Sequence, residues 1–293
     1  MKILVTGGAG FIGSHLTERL VEEGHEVIVL DNFYSGKKEW VKSAKLIEGD
    51  IRDESDVAKA MHGCQIVFHL AAISEARATD ENLVYNTNFL GSKNVFETAR
   101  KAKAKVIFAS SAAVYGESRG AKETDAAQPE NQYGKSKLKG EHIAPEGSFI
   151  VRLFNVYGPR GHGVINKFAS AIPKYKGITI YGHGSQTRDF VHIDDVVSAL
   201  MLGLQHDGTY NIGTGKDRSV TDIVQIISNL TRSTPDVTFA PATPGDVERS
   251  RADIAKVSAL WKPLVDISTG IHGLLEYYGF DFSILDKVPK QRE

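Results

Sequence analysis

The stretch that decides the fold is KILVTGGAGFIG, at residues 2–13. Its first half, Lys2–Thr6, is a short apolar run that predicts a buried strand. Glycines follow at once, and the apolar spacing of Ser14–Glu23 predicts a helix that Gly24 ends. Glu26–Leu30 predicts a second strand. The order strand, glycine turn, helix, strand is typical of a dinucleotide-binding unit.

The glycines and one acidic residue define the nucleotide site of this unit. Gly8, Gly10 and Gly13 let backbone amides approach a pyrophosphate at the helix N-terminus. Asp31, directly after the second strand, can accept hydrogen bonds from ribose hydroxyls. Its charge repels a 2′-phosphate, and residues 32–34 offer no arginine to bind one. We therefore expect NAD rather than NADP.

Strand and helix patterns then alternate. Apolar runs predict further strands at residues 44–48, 66–70, 106–110 and 149–154, and helical spacing predicts a long helix at 82–103. This alternation predicts an α/β fold with a Rossmann-type doubly wound parallel sheet. We expect an NAD-binding domain at residues 1–155 and a smaller α/β substrate-binding lobe at 156–293. Segments near residues 190–215 are expected to return to the first domain.

The composition excludes several classes of protein. The 35 Lys and Arg residues balance 36 Asp and Glu residues, so neither nucleic acid nor an anionic membrane is an expected partner. No apolar run reaches membrane-spanning length, and no leader pattern precedes the first strand. The single cysteine, Cys64, excludes internal disulfides and cysteine-cluster zinc sites. We expect a cytoplasmic protein.

Histidines and acids do not form a metal-binding pattern. His69 lacks a second ligand at helical or loop spacing, so it is interpreted as a hydrogen-bonded core histidine. His192 precedes Asp194 and Asp195, but acids at a helix start are more simply caps and dipole partners. We expect no bound metal.

The sequence YGKSK at residues 133–137 carries the candidate chemistry. On a helix, Tyr133 and Lys137 fall on one face. A free phenol has a pKa of about 10, and lowering it to about 7 takes about 4 kcal/mol of differential interaction with the charged form. A neighbouring lysine and a nicotinamide cation together can meet that demand. In isolation, however, the motif is better explained as an exposed helix turn.

Several motifs, in order along the chain, resemble the extended short-chain dehydrogenase/reductase family, and most closely its UDP-glucose (UDP-galactose) 4-epimerase branch. In the first half they are TGGAGFIG at 6–13, Asp31-Asn32, HLAA at 69–72, SSAAVYG at 110–116 and YGKSK at 133–137. In the second half they are RLFNVYGP at 152–159, RDFVH at 188–192, Gly245-Asp246 and Ala252-Asp253. The match covers nearly the whole chain.

The resemblance implies C4 epimerisation of a UDP-hexose through a transient 4-keto sugar, with hydride passing to NAD and back. Tyr133 would take the proton of the sugar 4-hydroxyl, Lys137 would lower the pKa of Tyr133 and hold the nicotinamide ribose, and Ser111 would hydrogen-bond the reacting oxygen. UDP-glucose and UDP-galactose are the implied pair. Ser250 stands at a position that is small in relatives accepting N-acetylated hexoses, so those sugars are expected substrates as well.

The resemblance also marks binding positions in both halves of the chain. Those for the cofactor are Gly7, Gly10, Phe11, Ile12, Gly13, Asp31, Asn32, Asp50, Ile51, Leu70, Ala71, Ala72, Asn88, Ser110, Tyr133 and Lys137. Those for the UDP-sugar are Ser111, Asn155, Val164, Tyr181, Arg188, Asp246, Arg249 and Ser250. Tyr181 would stack on the base. Arg188 would bind the diphosphate, because an anionic ligand in a neutral protein needs a local cation; an ion pair with Asp189 is the alternative.

Two departures concern the chemistry of the site. Ala112 and Ala113 replace the Asp-Glu pair of sugar-nucleotide 4,6-dehydratases and the Glu that decarboxylases keep at the second position. Elimination needs an acid and a base beyond the tyrosine, so the alanines favour C4 epimerisation. Thr243 stands where the branch usually has arginine, and Arg249 or Arg251 is a candidate substitute.

A third departure concerns assembly. Tyr133 and Arg152 are 19 positions apart, and Pro145 and Gly147 fall where the helix of relatives continues. In relatives that helix joins the 82–103 helix in the dimer contact. We therefore expect a homodimer with a reduced interface.

Two other functions remain open from the sequence. A net NAD-dependent nucleotide-sugar oxidoreductase would use the same Ser111, Tyr133 and Lys137. A non-catalytic NAD-binding regulator would keep the fold without needing these three side chains.

Overall fold

A computed structural model describes residues 1–73, 80–174, 176–242 and 247–287. Its main element is a sheet of seven strands in which every neighbouring pair is parallel. From edge to edge the strands are β10 (Gly208–Ile212), β6 (Phe149–Leu153), β5 (Lys105–Ser111), β4 (Ile66–His69), β1 (Lys2–Thr6), β2 (Glu26–Asp31) and β3 (Lys45–Glu48). The predicted Rossmann-type parallel sheet is confirmed.

Helices cover both faces of this sheet, and others lie in the second half of the chain. They are α1 (Phe11–Glu22), α2 (Glu54–Met61), α3 (Glu81–Tyr85), α4 (Gly91–Ala102), α5 (Gln132–Ile143), α6 (Val164–Ala171), α7 (Ile193–Met201), α8 (Val220–Thr231) and α9 (Ile267–Tyr277).

The main sheet is buried on both faces, as parallel sheets usually are. Successive residues of β1 alternate between the faces: Ile3 and Val5 join the core beneath α1 and α7, and Leu4 joins the core beneath α2 and α4. Each fully buried aliphatic side chain of this kind contributes about 1.5–3 kcal/mol.

The strand order reverses where β1 lies beside β4. The chain leaves β1 toward one face of the sheet and leaves β4 toward the other, so a crevice opens between the two carboxyl ends. Ligands of open α/β sheets bind at such a switch point. The glycine turn after β1 and residues 70–72 after β4 form its two walls.

The predicted long helix at residues 82–103 is interrupted in the structure. A π-helical segment, Asn86–Leu90, lies between α3 and α4. Within it the amide of Asn88 donates to the Ile73 carbonyl at 3.0 Å and accepts from the Ile73 N–H at 2.8 Å. The π turn presents this side chain to the loop after β4, and π turns of this kind are frequent at functional sites.

Two smaller sheets, largely missed by the sequence analysis, form the second lobe. In one, β9 (Thr187–His192) pairs with β7 (Asn155–Tyr157), β11 (Asp217–Ser219) and β13 (Arg249–Ser250). In the other, β8 (Ile178–Tyr181), which was predicted, pairs with β12 (Val237–Ala240). β10 comes from this half of the chain but joins the main sheet beside β6. The functional division at residue 155 stays a prediction.

Two interpretations of polar residues can be compared with the structure. The core-histidine interpretation of His69 is confirmed, because its Nδ1 lies 2.7 Å from Thr6 Oγ1 and its Nε2 lies 2.8 Å from Ser92 Oγ. The cap of α7 is His192, whose Nδ1 accepts from the Asp194 N–H. Asp195 instead accepts from the backbone of Leu264 and Val265.

Neither a membrane span nor a metal cluster is found in the described ranges. None of their helices is both long enough and apolar enough to cross a bilayer. Their His, Cys, Asp and Glu side chains form no group of three or more that could hold a metal ion.

The buried histidine predicts how stability depends on pH. Burial lowers the pKa of His69 from 6.5 to about 3. Between these values the unfolded chain binds a proton that the folded protein does not, so stability falls as the pH falls through this range. His69 thus adds a slope of up to about 1.4 kcal/mol per pH unit to the free energy of unfolding, and His69→Gln removes that slope. Urea unfolding between about pH 7 and about pH 4.5 should show a shallower slope for the variant; equal slopes would contradict the assignment.

Candidate active site

The glycine turn after β1 leaves no room for side chains. A Cβ added to Gly13 would lie 2.1 Å from the carbonyl oxygen of Gly7, and Gly7 itself has a φ of +71°. Helix α1 begins at Phe11, and its N-cap residue, Gly10, supplies no side-chain cap. The N–H groups of the first helical turn are thus left for an anion. This cradle fits the pyrophosphate of a dinucleotide.

The acid at the end of β2 is held by backbone groups. Asp31 is 8% exposed, and its carboxylate accepts from the Ala9 N–H at 2.9 Å and the Phe33 N–H at 2.8 Å. Burial raises the pKa of Asp31, and these two hydrogen bonds oppose that rise. The carboxylate is thereby fixed beside the glycine turn, where a ribose hydroxyl can reach its remaining lone pairs.

Two further predicted cofactor residues contact each other beside this acid. Asn32 donates to Asp50 at 2.8 Å, and Asp50 also pairs with Arg52 at 2.7 Å. The hydrogen bond from Arg52 is the main reason that the pKa of Asp50 is lowered to about 2. Ile51 is buried against Gly91, at the start of α4.

The opposite wall of the crevice follows β4. Leu70, Ala71 and Ala72 are half-buried, and the Ala71 N–H donates to Thr6 Oγ1 at 3.3 Å. A Cβ on Gly7 would lie 2.7 Å from the Ala71 nitrogen, so the two walls touch at their base. Asn88 braces this wall through Ile73. The predicted cofactor residues of both walls therefore line one crevice.

The candidate catalytic lysine is inside the protein. Asn131 caps α5 by accepting from the Gly134 N–H at 2.9 Å, which places Lys137 on the face that packs on β5. Lys137 is 3% exposed and its Nζ donates to the Ala109 carbonyl at 2.8 Å. The ammonium lies 5.0 Å from the ring centre of Phe108 and 5.9 Å from that of Tyr133. Burial lowers the pKa of Lys137 to about 7.

The candidate catalytic tyrosine shows a pKa shift opposite to the one expected. Burial raises the pKa of Tyr133, and the group that opposes this rise is the hydroxyl of Ser111, through a hydrogen bond. The expected lowering by Lys137 is therefore not what the protein groups alone produce. The structure brings Ser111, Tyr133 and Lys137 together, with Ser111 as the immediate partner of the phenol.

The two alanines lie next to this set. Ser111 ends β5, and its Oγ accepts from the Ala113 N–H at 3.1 Å. A Cβ on Gly134 would lie 2.4 Å from the Ala113 carbonyl oxygen, so the Ala112–Val114 turn is packed against the start of α5. A residue at position 113 is therefore close to both Ser111 and the tyrosine helix.

The predicted UDP-sugar residues fall on several elements of the second lobe. Arg188 and Ser250 are buried and paired in register across β9 and β13, and the adjacent Arg249 is exposed. Asn155 begins β7, Val164 begins α6, and Tyr181, 44% exposed, ends β8. Asp246 and Thr243 lie outside the described residues. The alternative partner of Arg188, Asp189, accepts hydrogen bonds from Thr214, Gly215 and Ala252.

One predicted cofactor residue takes part in a network that sequence reasoning missed. The Ser110 hydroxyl donates to Glu141, which also pairs with Arg152 at 2.6 Å. Arg152 in turn donates to the Tyr115 hydroxyl at 2.8 Å. The signal available in the sequence was a glutamate four residues after Lys137, on the same helix face.

Comparison with known proteins covers both lobes. The NAD dependent epimerase/dehydratase family matches residues 3–213. A Methanocaldococcus jannaschii protein, provisionally named a UDP-glucose 4-epimerase, is 37% identical over 94% of this chain and 97% of its own. A Bacillus cytotoxicus UDP-N-acetyl-alpha-D-glucosaminuronate decarboxylase is 35% identical over 82% of this chain and 83% of its own. The Thermus thermophilus UDP-glucose 4-epimerase, solved in complex with NAD, has a TM-score of 0.91 at 34% identity, over 95% of this chain and 99% of that one.

The close contact at Gly13 predicts a selective loss of cofactor. In Gly13→Ala the new methyl group forces the helix start away from Gly7, so NAD affinity should fall by about 100-fold or more, equivalent to about 2.7 kcal/mol. Isothermal titration calorimetry with NAD measures this. Gly273→Ala is the matched control, because its Cβ would meet nothing within 4 Å. Equal NAD affinity in the two variants would show that the cradle does not hold the dinucleotide.

Proposed function

The chain belongs to the NAD-dependent epimerase/dehydratase family, and we propose that it is a C4 epimerase of UDP-hexoses, acting on UDP-glucose and UDP-galactose and on their N-acetylated forms. NAD is the cofactor of the family, and when bound it supplies the acceptor and the donor of the hydride at sugar C4. The glycine cradle, Asp31 and the 70–72 wall would hold the dinucleotide.

The observation that carries the proposal is the pair of alanines beside the catalytic set. Ala113 is in contact with Ser111 and packed on the start of α5. The related dehydratases and decarboxylases place an acid at this position. A methyl group can neither donate nor accept a proton, so elimination lacks its second acid–base group here. Proton transfer by Tyr133 at one hydroxyl, which epimerisation requires, needs no such group.

Each member of the set has a distinct role in the proposal. Tyr133 takes the proton from the sugar 4-hydroxyl and returns it after the sugar has turned. Ser111, already hydrogen-bonded to the phenol, orients that proton and binds the reacting oxygen. Lys137 favours the phenolate when it carries its charge and holds the nicotinamide ribose.

The second lobe would hold the nucleotide. Arg188 is a buried cation beside Ser250, and Arg249 adds a second cation on the same short strand. We assign the diphosphate to these arginines, together with Asn155, Val164 and Asp246 around the UDP group, and the base to Tyr181. Buried Ser250 leaves more room than a bulky residue would, and this supports acceptance of an N-acetyl group.

We also propose a homodimer with a small interface. Helix α5 ends at Ile143, and the chain turns back through Gly147, which has a φ of +76°, into β6. The outer face of α4 and α5 carries Lys93 and Lys139 beside the exposed Leu90. The half-buried rings of Tyr85 and Phe89 lie under Lys139. Because α5 is short, we expect the interface to be small and the association weak. Sedimentation velocity should show the dimer dissociating in the micromolar range; a dimer intact at nanomolar protein would contradict this.

The activity is tested by NMR of the purified protein with UDP-galactose, first without and then with added NAD. Appearance of UDP-glucose supports the proposal, and appearance without added NAD shows that the cofactor is retained. UDP-glucuronic acid is offered in parallel, because release of carbon dioxide would identify a decarboxylase. Accumulation of absorbance from reduced NAD would identify a net oxidoreductase. If none of these sugars is converted, the result would favour the alternative of a non-catalytic NAD-binding regulator.

Substrate breadth is tested at Ser250. Ser250→Tyr should lose at least about tenfold of the rate with UDP-N-acetylgalactosamine while keeping the rate with UDP-galactose, because the added ring fills the space of the N-acetyl group. Ser250→Ala is the control for loss of the hydroxyl. Rejection of the N-acetyl sugar by the wild-type protein would refute this part of the proposal.

A further inference from the structure

A carboxylate and a guanidinium are buried together behind the catalytic helix. The side chains of Glu141 and Arg152 are 6% and 9% exposed. Arg152 donates from Nε to Oε1 at 3.0 Å and from Nη2 to Oε2 at 2.6 Å, and Ser110 donates to the same carboxylate. Apolar residues of similar volume often stabilise a protein as well as such a pair does. Stability alone therefore does not account for it.

The pair is oriented with its negative end toward Lys137. Glu141 follows Lys137 by four residues on α5, so both side chains face the sheet. Lys137 is bound to the Ala109 carbonyl of β5, and Glu141 contacts the next residue of that strand, Ser110. Arg152 comes from β6, one strand further away.

The charges around Lys137 make this orientation relevant. From α5 itself the Tyr133 phenol and the Glu141 carboxylate face it, and from β4 it is faced by His69, which burial keeps neutral. The next charge is that of Arg152 on β6, which is paired with Glu141. Among these four groups Glu141 is the anion. Burial lowers the pKa of Lys137 to about 7, and the charge of Glu141 opposes that fall.

We propose that Glu141 is a positioning residue for the catalytic pair, and that its carboxylate, held by Arg152 and Ser110, keeps the Lys137 ammonium charged inside the protein. The charged lysine is the form that stabilises a phenolate at Tyr133. The inference rests on the proposed function for the role of Tyr133, whereas the charge of Lys137 can be measured without any substrate.

The far end of the same network reaches the second lobe. Arg152 Nη1 donates to the Tyr115 hydroxyl, which donates to Asn211 Oδ1 at 2.8 Å. Asn211 then donates to the carbonyls of Ala121, at 2.8 Å, and Asp253, at 3.2 Å. Both ends of the guanidinium are thus fixed, so Arg152 holds the carboxylate in one position.

The test is a pH titration of Lys137 in the NAD-loaded protein carrying ¹³Cε-labelled lysine, with the Lys137 signal assigned by its loss in Lys137→Met. In Glu141→Gln the midpoint should fall by about one pH unit, a tenfold loss of proton affinity. The alkaline limb of the kcat profile should move by the same amount. A merely structural role would lower kcat at every pH and leave the midpoint unchanged.

Two further variants complete the experiment. Glu141→Gln leaves a buried arginine unpaired. If this single variant does not fold, the double variant Glu141→Gln/Arg152→Gln, in which two amides can pair, replaces it. The Lys137 midpoint should fall in the double variant too, but by a smaller amount. Glu18 belongs to α1, on the opposite face of the sheet, and pairs with Arg160; Glu18→Gln is the matched control and should not move the midpoint. An unchanged midpoint in both the single and the double variant overturns the proposal. A shifted midpoint in a protein without epimerase activity would instead leave the charge relation standing and refute the proposed function.

Discussion

Between the carbonyl oxygen of Gly7 and the α-carbon of Gly13 there is no space for a methyl group. This contact sets the angle at which α1 leaves β1, and with it the place of α1 and α7 on one face of the sheet. It also brings the N-terminal end of α1, with its partial positive charge, to the point where the strand order reverses. The crevice for the dinucleotide exists because glycine permits this approach.

The parts of the structure that could be predicted are those in which burial is visible in the sequence. β1, β4 and β5 are covered on both faces, so each is a continuous apolar run. β9 is equally buried but contains Arg188 and Asp189, and β13 is only two residues long. Such strands depend on hydrogen-bonding partners far away in the chain, and a local pattern does not show those partners.

The same limit applies to the site. The motifs predicted the set of Ser111, Tyr133 and Lys137, and the structure brings it together. They predicted a lowered pKa for Tyr133, whereas burial raises it, since a sequence does not show which groups are buried. Burial favours the neutral form of both Tyr133 and Lys137. The charge of Glu141 opposes this effect at Lys137, and the charges that ligands bring to the site act on the same balance.

The position of β10 has a consequence for how this protein can be divided. The strand is contributed by residues 208–212, after the first three strands of the second lobe, yet it completes the main sheet beside β6. A fragment ending near residue 155 would leave β6 as an unprotected edge with a row of unpaired peptide groups. The two lobes are therefore not separable modules. They must be inherited, synthesised and folded as one unit, and recombination can exchange them only at the cost of an open sheet.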